Sequence, residues 1–276
     1  MKIGLSSFLV GFIIFLQASD SDAKQPIKLA IVLDDIGYKH SDLQALTLPA
    51  AITLSILPYT PYAKKIATVA LQQQREILLH VPMQAKQHNE KLGKGALLLD
   101  MQEADFKAEL NSALNYLPAA TGINNHMGSA LTEHVKEMQW TMEVLGSHGL
   151  YFLDSRTTAK TIAENTAKLA NIPALHRHVF LDNIKTNEAM EKQFLAALTL
   201  GKKGNGVVII AHPYPETLQF LASKFKQPNR QIELVALKML FSTSERLAMT
   251  KKRNQLRQVN NTIGSDAVNV QNKQLQ

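Results

Sequence analysis

The sequence predicts an α/β fold, in which short buried parallel strands alternate with helices. Three observations support this prediction. Short apolar runs recur along the chain, and the stretches between them, such as residues 62–74, have the apolar spacing of amphipathic helices. Five of the runs end on an acid or a histidine. Because the carboxyl ends of parallel strands meet at one mouth of a barrel or one edge of an open sheet, we expect these polar side chains to converge.

The elements follow in order from apolar runs and their boundary residues. Ser41 is a suitable N-cap for a first short helix, Gly149 and Gly201 follow later helices, and Pro173 follows another. The predicted strands are 27–33, 52–57, 76–80, 122–125, 150–153, 176–181, 207–211 and 232–237. The predicted helices are 41–46, 62–74, 103–116, 132–147, 158–170, 187–200 and 216–225, with a loop at 86–99.

The amino terminus has the pattern of a secretory signal. A positive start precedes an uncharged apolar run, and small residues stand at 21–23. We expect residues 1–23 to be a signal peptide and the mature protein to be periplasmic; an uncleaved amino-terminal anchor is the alternative. The chain has no cysteine, which excludes disulfides, cysteine metal ligands and a lipoprotein start.

The rest of the chain divides into one domain, residues 24–240, and a basic polar tail, residues 241–276. We expect this tail to be mostly disordered, and it could begin with a short helix. Its charge suits an anionic envelope surface, although a solvated tail without a partner is the simpler interpretation. The net charge of +7 does not indicate nucleic-acid binding, because no basic patch is interleaved with aromatic residues. Phosphate-binding, dinucleotide and serine-hydrolase motifs are absent from the sequence.

Adjacent acids follow the first strand. Neighbouring strand residues face opposite sides, so Asp34 and Asp35 can enter one site only if the backbone bends there, which Gly37 would permit. Two adjacent carboxylates repel unless a cation or a proton separates them. A metal ligand beside a general base satisfies that requirement, whereas a helix cap beside a solvated acid is the alternative.

Two histidines are candidate metal ligands. His80 ends an apolar strand, and His126 lies in the polar segment Asn124-Asn125-His126-Met127-Gly128-Ser129. Either imidazole can bind a metal, although His80 could also be a core histidine and the second segment a tight turn. We expect Asn124 and Asn125 to orient an imidazole or to contact a sugar hydroxyl.

The later strand ends supply further candidates. His212 follows the most apolar strand, so it is a candidate for proton transfer. Arg156 is a candidate for stabilising an oxyanion, and a buried structural ion pair with Asp154 is the alternative. We assign Asp154 and Asp182 to substrate binding, although Asp182 could be only a helix cap.

Taken in order, these segments resemble the divergent polysaccharide deacetylase family, a branch of the NodB-like carbohydrate esterases. The resemblance spans about residues 28–240. Its motifs are Val32-Leu33-Asp34-Asp35, His80-Val81-Pro82-Met83, Asn124 to Ser129, Phe152 to Thr157, Phe180-Leu181-Asp182-Asn183 and His212-Pro213. The resemblance implies a distorted (β/α) barrel of about seven strands and a divalent metal, usually zinc. It also implies that Asp34 is the catalytic base, that Asp35 and His80 bind metal, and that His212 is the general acid.

One position departs from the family pattern. The second metal histidine would fall at Gln84, and glutamine is a poor zinc ligand. Our hypothesis is that His126 completes the triad with Asp35 and His80. The sequence therefore predicts a periplasmic, metal-dependent hydrolase that removes N-acyl groups from an envelope carbohydrate. The alternative from another class is a catalytically inactive glycan-binding or envelope-interaction protein on the same barrel.

Overall fold

The computed structural model describes residues 25–204, 206–256 and 258, so the predicted signal peptide at 1–23 lies outside the described residues. Nine strands form a single sheet, and every pairing between them is parallel. The strands are β1 (Ile27–Ile36), β2 (Thr53–Ile56), β3 (Ile77–Met83), β4 (Gly122–Met127), β5 (Tyr151–Asp154), β6 (Ala174–His176), β7 (Val179–Phe180), β8 (Val207–Ala211) and β9 (Ile232–Leu234).

The sheet curls into a barrel-like ring. Its order is β6-β5-β4-β3-β2-β1-β8-β7, and β9 adds to β1 outside that path. The two end strands are separated in sequence by only Arg177 and His178. The Arg177 amide donates to the Asp154 carbonyl and the His178 amide to the Val208 carbonyl, so this one segment connects β5 to β8. The predicted distorted (β/α) barrel is confirmed; the strand count exceeds seven because the closing segment is split and β9 lies apart.

Six helices connect the strands and cover the outside of the sheet. They are α1 (Ala63–Gln72), α2 (Glu103–Tyr116), α3 (Val135–His148), α4 (Ala163–Leu169), α5 (Asn187–Gly201) and α6 (Pro215–Lys224). Short 3-10 helices occur at His40–Thr47, Asn89–Lys91, Leu131–Glu133 and Leu237–Leu240. Among the described residues, no helix is long and apolar enough to cross a membrane.

The two faces of the strands form separate cores. On β1, Leu29, Ile31 and Leu33 pack with residues of the helices, and the alternate residues Ala30 and Val32 pack inside the ring. The interior is filled with apolar side chains from β1, β3, β5 and β8, together with residues near the end of the domain. The ring is therefore a packed core, and a site can form only above this filling, at one end.

The described residues that follow residue 240 include a helix. Residues 243–256 form a helix, Phe241 packs against Tyr151, and Arg253 Nη2 donates to the Ala120 carbonyl over 3.1 Å. A helix at the start of this tail was left open by the sequence, and these contacts attach it to the amino-terminal end of the ring. The remainder of the predicted tail, apart from residue 258, lies outside the described residues.

Candidate active site

A cavity of about 450 Å³ opens at the carboxyl ends of the strands. Asp35, His126 and His212 lie in it, together with Tyr38, Lys39, Asp42, Leu57, His88, Lys91, Met127, Pro213 and Tyr214. The polar residues below and around it continue the inward series of the strands. His80 follows the interior residue Leu78 by two positions, and His212 follows Ile210 in the same way. Strand alternation therefore aims these side chains at the same end of the filled ring.

A bend in β1 brings both adjacent acids toward this cavity. Asp34 continues the inward series of Ala30 and Val32, whereas Asp35 would face outward on a regular strand. The backbone of Asp35 adopts a φ of 58°, and the pairing of β1 with β2 shifts register between Leu33 and Ile36. The predicted bend therefore exists, but it lies at Asp35 itself. A left-handed aspartate costs on the order of 1 kcal/mol, which the surrounding strand pairing offsets.

Asp35, His80 and His126 form a compact triad. Asp35 Oδ1 lies 2.8 Å from His126 Nδ1 and 3.1 Å from His80 Nε2. One ligand atom from each residue lies within 4.8 Å of the other two. Burial alone would raise the pKa of Asp35, but the hydrogen bonds with His126 and His80 hold it well below its ordinary value. A carboxylate with two imidazoles is a donor set that suits zinc, so the residues fit the metal that the sequence predicts.

Asn124 orients the residues under the triad. Its Oδ1 accepts from His80 Nδ1 over 2.8 Å and from the Ser55 hydroxyl. Its Nδ2 donates to Asp34 Oδ1 over 2.9 Å and to Ser155 Oγ over 3.1 Å. Because an amide oxygen can only accept, His80 carries a proton on Nδ1, so Nε2 is the nitrogen that faces Asp35 and that would bind a metal.

Asp34 lies beneath the cavity. Its side chain is 4% exposed, and Oδ2 lies 3.8 Å from His80 Nε2. Burial raises the pKa of Asp34 above its ordinary value, against the attraction of His80 and His212. A carboxylate with a raised pKa is a better proton acceptor than an exposed one, which agrees with the role of general base that the resemblance implies.

His212 is held by Asp182. Its Nδ1 lies 2.9 Å from Asp182 Oδ1, and its backbone amide donates to Asp182 Oδ2. Thr217 Oγ1 also donates to Oδ2, over 2.9 Å. Burial would lower the pKa of His212, but Asp182, with the more distant Asp35 and Asp34, raises it to about 9. His212 Nε2 lies 4.0 Å from Asp35 Oδ2, so its free nitrogen faces the triad as a proton donor.

The four residues that we assigned to substrate binding do not line the cavity. Asn124, Asn125, Asp154 and Asp182 are at most 3% exposed, and each is bonded within the protein. Asn125 bonds the Met127 carbonyl and the Ser155 amide, and Asp154 accepts from the Arg156 amide and the Thr161 hydroxyl. We therefore revise that assignment: these side chains position the site and are too buried to contact a sugar.

Arg156 also differs from the expectation. Its Nη2 bonds Glu164 Oε2 over 3.1 Å, and its side chain lines a neighbouring cavity with Thr157 and Arg177. With a φ of 49°, its backbone turns away from the line of β5. The structure therefore does not bring Arg156 to the triad, and oxyanion stabilisation cannot be assigned to it.

Gln84, the position of the missing family histidine, has a structural role. Its Oε1 accepts from the Leu99 amide over 2.7 Å, and its backbone bonds Leu97, Ala130 and Leu131. It connects the loop after β3 to the segment after β4. His126 reaches the triad from β4 instead, which pairs with β3 so that His126 lies opposite Pro82.

Several residues of the cavity wall have no clear signal in the sequence. The wall includes Tyr38, Lys39, Lys91 and Tyr214. None of these residues stands directly at the end of an apolar run, which was the pattern used to select candidates. Tyr214 follows His212 closely in the sequence, and Tyr38 follows Asp35 in the same way. This nearness in sequence is a signal that could have identified both tyrosines. Lys91 lies in the polar loop at 86–99, where sequence alone gives no direction for the side chain.

The comparisons with known proteins agree with this geometry. A sequence model of the family described as "Divergent polysaccharide deacetylase" matches residues 31–241. The chain is 37% identical to an uncharacterized protein of Haemophilus influenzae over 241 residues, which cover 86% of this chain and 85% of the relative. It is 38% identical to the uncharacterized protein YibQ of Escherichia coli over 195 residues, 70% of this chain and 61% of the relative, so the match spans less than two thirds of that protein.

A solved structure shows the same fold. The uncharacterized protein ATU2773 from Agrobacterium tumefaciens superimposes with a TM-score of 0.72 over 79% of this chain and 90% of its own. The two sequences are 20% identical, so this likeness supports the architecture alone.

Proposed function

Because the chain belongs to the divergent polysaccharide deacetylase family, we propose that it is a metal-dependent hydrolase that removes N-acyl groups, acetyl above all, from an envelope carbohydrate. We propose further that the metal is zinc and that the protein acts in the periplasm, as its amino-terminal sequence suggests. One observation carries the proposal: Asp35, His80 and His126 cluster within 4.8 Å, and two of them, Asp35 and His126, line an open cavity together with His212.

Each residue has a role that follows from its position. Asp35, His80 and His126 would hold the metal, which supplies polarisation of the acyl carbonyl and a lowered pKa for water when it is bound. Asp34 accepts the proton of the attacking water, since its buried carboxylate faces the triad. Asn124 fixes the side chains of Asp34 and His80 relative to each other, because its amide group forms hydrogen bonds with both.

His212 acts on the other side of the scissile bond. Its Nε2 donates a proton to the leaving nitrogen, so that the amine departs as a neutral group. Asp182 keeps Nδ1 protonated and fixes the ring, and the raised pKa keeps the imidazole charged at neutral pH. The reaction thus needs one group that accepts a proton and one that donates a proton; Asp34, 3.8 Å from His80, and His212, 4.0 Å from Asp35, would supply them.

The test combines zinc content with acetate release from chitooligosaccharides and peptidoglycan fragments. We expect about one zinc per chain in the wild type and in Gln84→Ala, and a loss of zinc in His126→Ala. We expect Asp34→Asn to retain zinc and to release no acetate. Full activity in Asp34→Asn would exclude the base assignment. If the chain binds glycan but neither binds zinc nor releases acetate, it is instead the catalytically inactive glycan-binding protein that the sequence left as the alternative.

A further inference from the structure

Two lysines on the rim of the cavity make no ion pair with any acid that the structure describes. Lys39 and Lys91 line the same cavity as Asp35, and both side chains are exposed. Across the described part of the chain, neither makes an ion pair within 4.0 Å. The nearby acid Asp42 is 2% exposed, and its Oδ2 already accepts from the amides of Gly37 and Lys39. The two ammonium groups are therefore available to a ligand.

The segments that carry these lysines are well anchored. Lys39 precedes the 3-10 helix His40–Thr47, and Lys91 ends the short 3-10 helix Asn89–Lys91. Asn89 bonds both the amide and the carbonyl of Ala85, and the residue after Lys91, Leu92, is buried. The two segments also contact each other, since a Cβ at Gly93 would lie 2.3 Å from Tyr38 Oη. The positions of both lysine backbones are thus fixed relative to the triad.

The opposite wall adds more positive charge. Lys185 Nζ lies 3.5 Å from the centroid of the Tyr214 ring, and Tyr214 lines the cavity. His212 lies in the same wall. Asp35 and Asp42 are the acids that line the cavity; Asp42 is engaged by backbone amides, and a divalent metal would more than neutralise Asp35. An uncharged N-acyl sugar would leave this excess of positive charge without a partner. An anionic group in the cavity would be attracted and oriented by the positive charge.

We propose that the substrate carries an anionic substituent, a carboxylate or a phosphate, on the N-acylated sugar or its direct neighbour, and that Lys39 and Lys91 bind this group. The inference rests on the proposed function, because it places the acyl group at the Asp35–His80–His126 triad. It deepens that function by selecting acidic glycans over neutral ones. Tyr38 and Tyr214 would then form the uncharged walls against which the sugar ring packs.

The test measures binding, so that it does not depend on turnover. Calorimetry with the zinc-loaded Asp34→Asn chain compares four tetrasaccharides of N-acetylglucosamine type. One is neutral, one carries lactyl carboxylates, one is the same compound with its carboxylates converted to amides, and one carries a 6-phosphate. We expect at least tenfold tighter binding of one anionic ligand than of the neutral and amidated ones, and the better of the two anions identifies the source of the charge.

Lysine variants test the assignment. Adding Lys39→Gln or Lys91→Gln should reduce the preference at least threefold, whereas Lys65→Gln, an exposed lysine on α1, should leave it unchanged. Equal affinity for all four ligands, or a preference that survives both rim variants together, would overturn the inference. If the wild-type enzyme deacetylates the neutral glycan equally well, this inference fails and the proposed function stands. If no glycan is deacetylated but the charge preference persists, the proposed function fails instead.

Discussion

Replacing Asn124 with alanine tests whether one buried amide organises the site. The side chain makes four hydrogen bonds, to Ser55, His80, Asp34 and Ser155. Alanine leaves Asp34 Oδ1 and His80 Nδ1 buried without these partners, whereas the two serine hydroxyls can rotate toward others. The His80 ring also loses the contact that fixes its tautomer, so Nε2 is no longer held toward Asp35.

The magnitudes follow from these losses. An unsatisfied buried polar group costs about 1–3 kcal/mol, so two of them should lower the free energy of unfolding by about 2–6 kcal/mol. Loss of a group that orients a metal ligand typically weakens metal binding by about 10–100-fold. We therefore expect the zinc dissociation constant of Asn124→Ala to rise by about that factor, even though no ligand is removed.

The assay separates the two effects. Urea unfolding in the presence of a chelator gives the stability of the metal-free chain, and competition with a chromophoric chelator gives zinc affinity under conditions where the variant is folded. Asn111→Ala is the matched control, because this amide bonds the Lys107 carbonyl and His148 on the outer helices, far from the cavity. The reasoning is refuted if the folded Asn124→Ala chain binds zinc as tightly as the control.

Two further predictions concern His212 and the turn that follows β1. The raised pKa of His212, about 9 against about 6.5 when unfolded, stabilises the metal-free fold fully below pH 6.5, and this contribution is lost as the pH rises through 9. Asp182→Asn should therefore destabilise more at pH 6 than at pH 9.5 in urea unfolding; an equal loss at both would contradict this. Gly37→Ala places a Cβ 2.2 Å from Thr60 Oγ1 at a φ of 127° and should cost about 2–4 kcal/mol. Gly204→Ala, with a φ of 109° and open space, should cost about 1 kcal/mol.

The strand pattern was predictable because burial on both faces leaves a strong signal. The run Val207–Ala211 was located at its observed bounds, and the helix Glu103–Tyr116 likewise. Segment 174–180 was less predictable, because its two halves pair with different neighbours and the chain between them bends. The sequence shows no local cue for such a division, since it depends on where β5 and β8 lie.

Which residues form the site was easier to predict from the sequence than the role of each residue. Polar residues at strand ends identified the acids and histidines, but not which of them face solvent. Asp182 and His212 follow the consecutive strands β7 and β8, and their hydrogen bond depends on the pairing of these two strands in the folded sheet. Asn124 was expected to orient an imidazole or contact a sugar, and its burial decides between these alternatives.

The position of β1 in the sheet has a consequence for how the chain folds. β1 pairs with β2 on one side and with β8 on the other, where Leu29 lies opposite Val207, about 180 residues later. The chain is synthesised from its amino end, so β1 to β5 can associate early. The other edge of β1 stays unpaired until β8 has been synthesised. Contacts this distant in sequence form slowly, and an unpaired apolar edge is a template for pairing between chains. Aggregation during folding should therefore be most sensitive to substitutions along Ile27–Leu33 that place a charge on this edge.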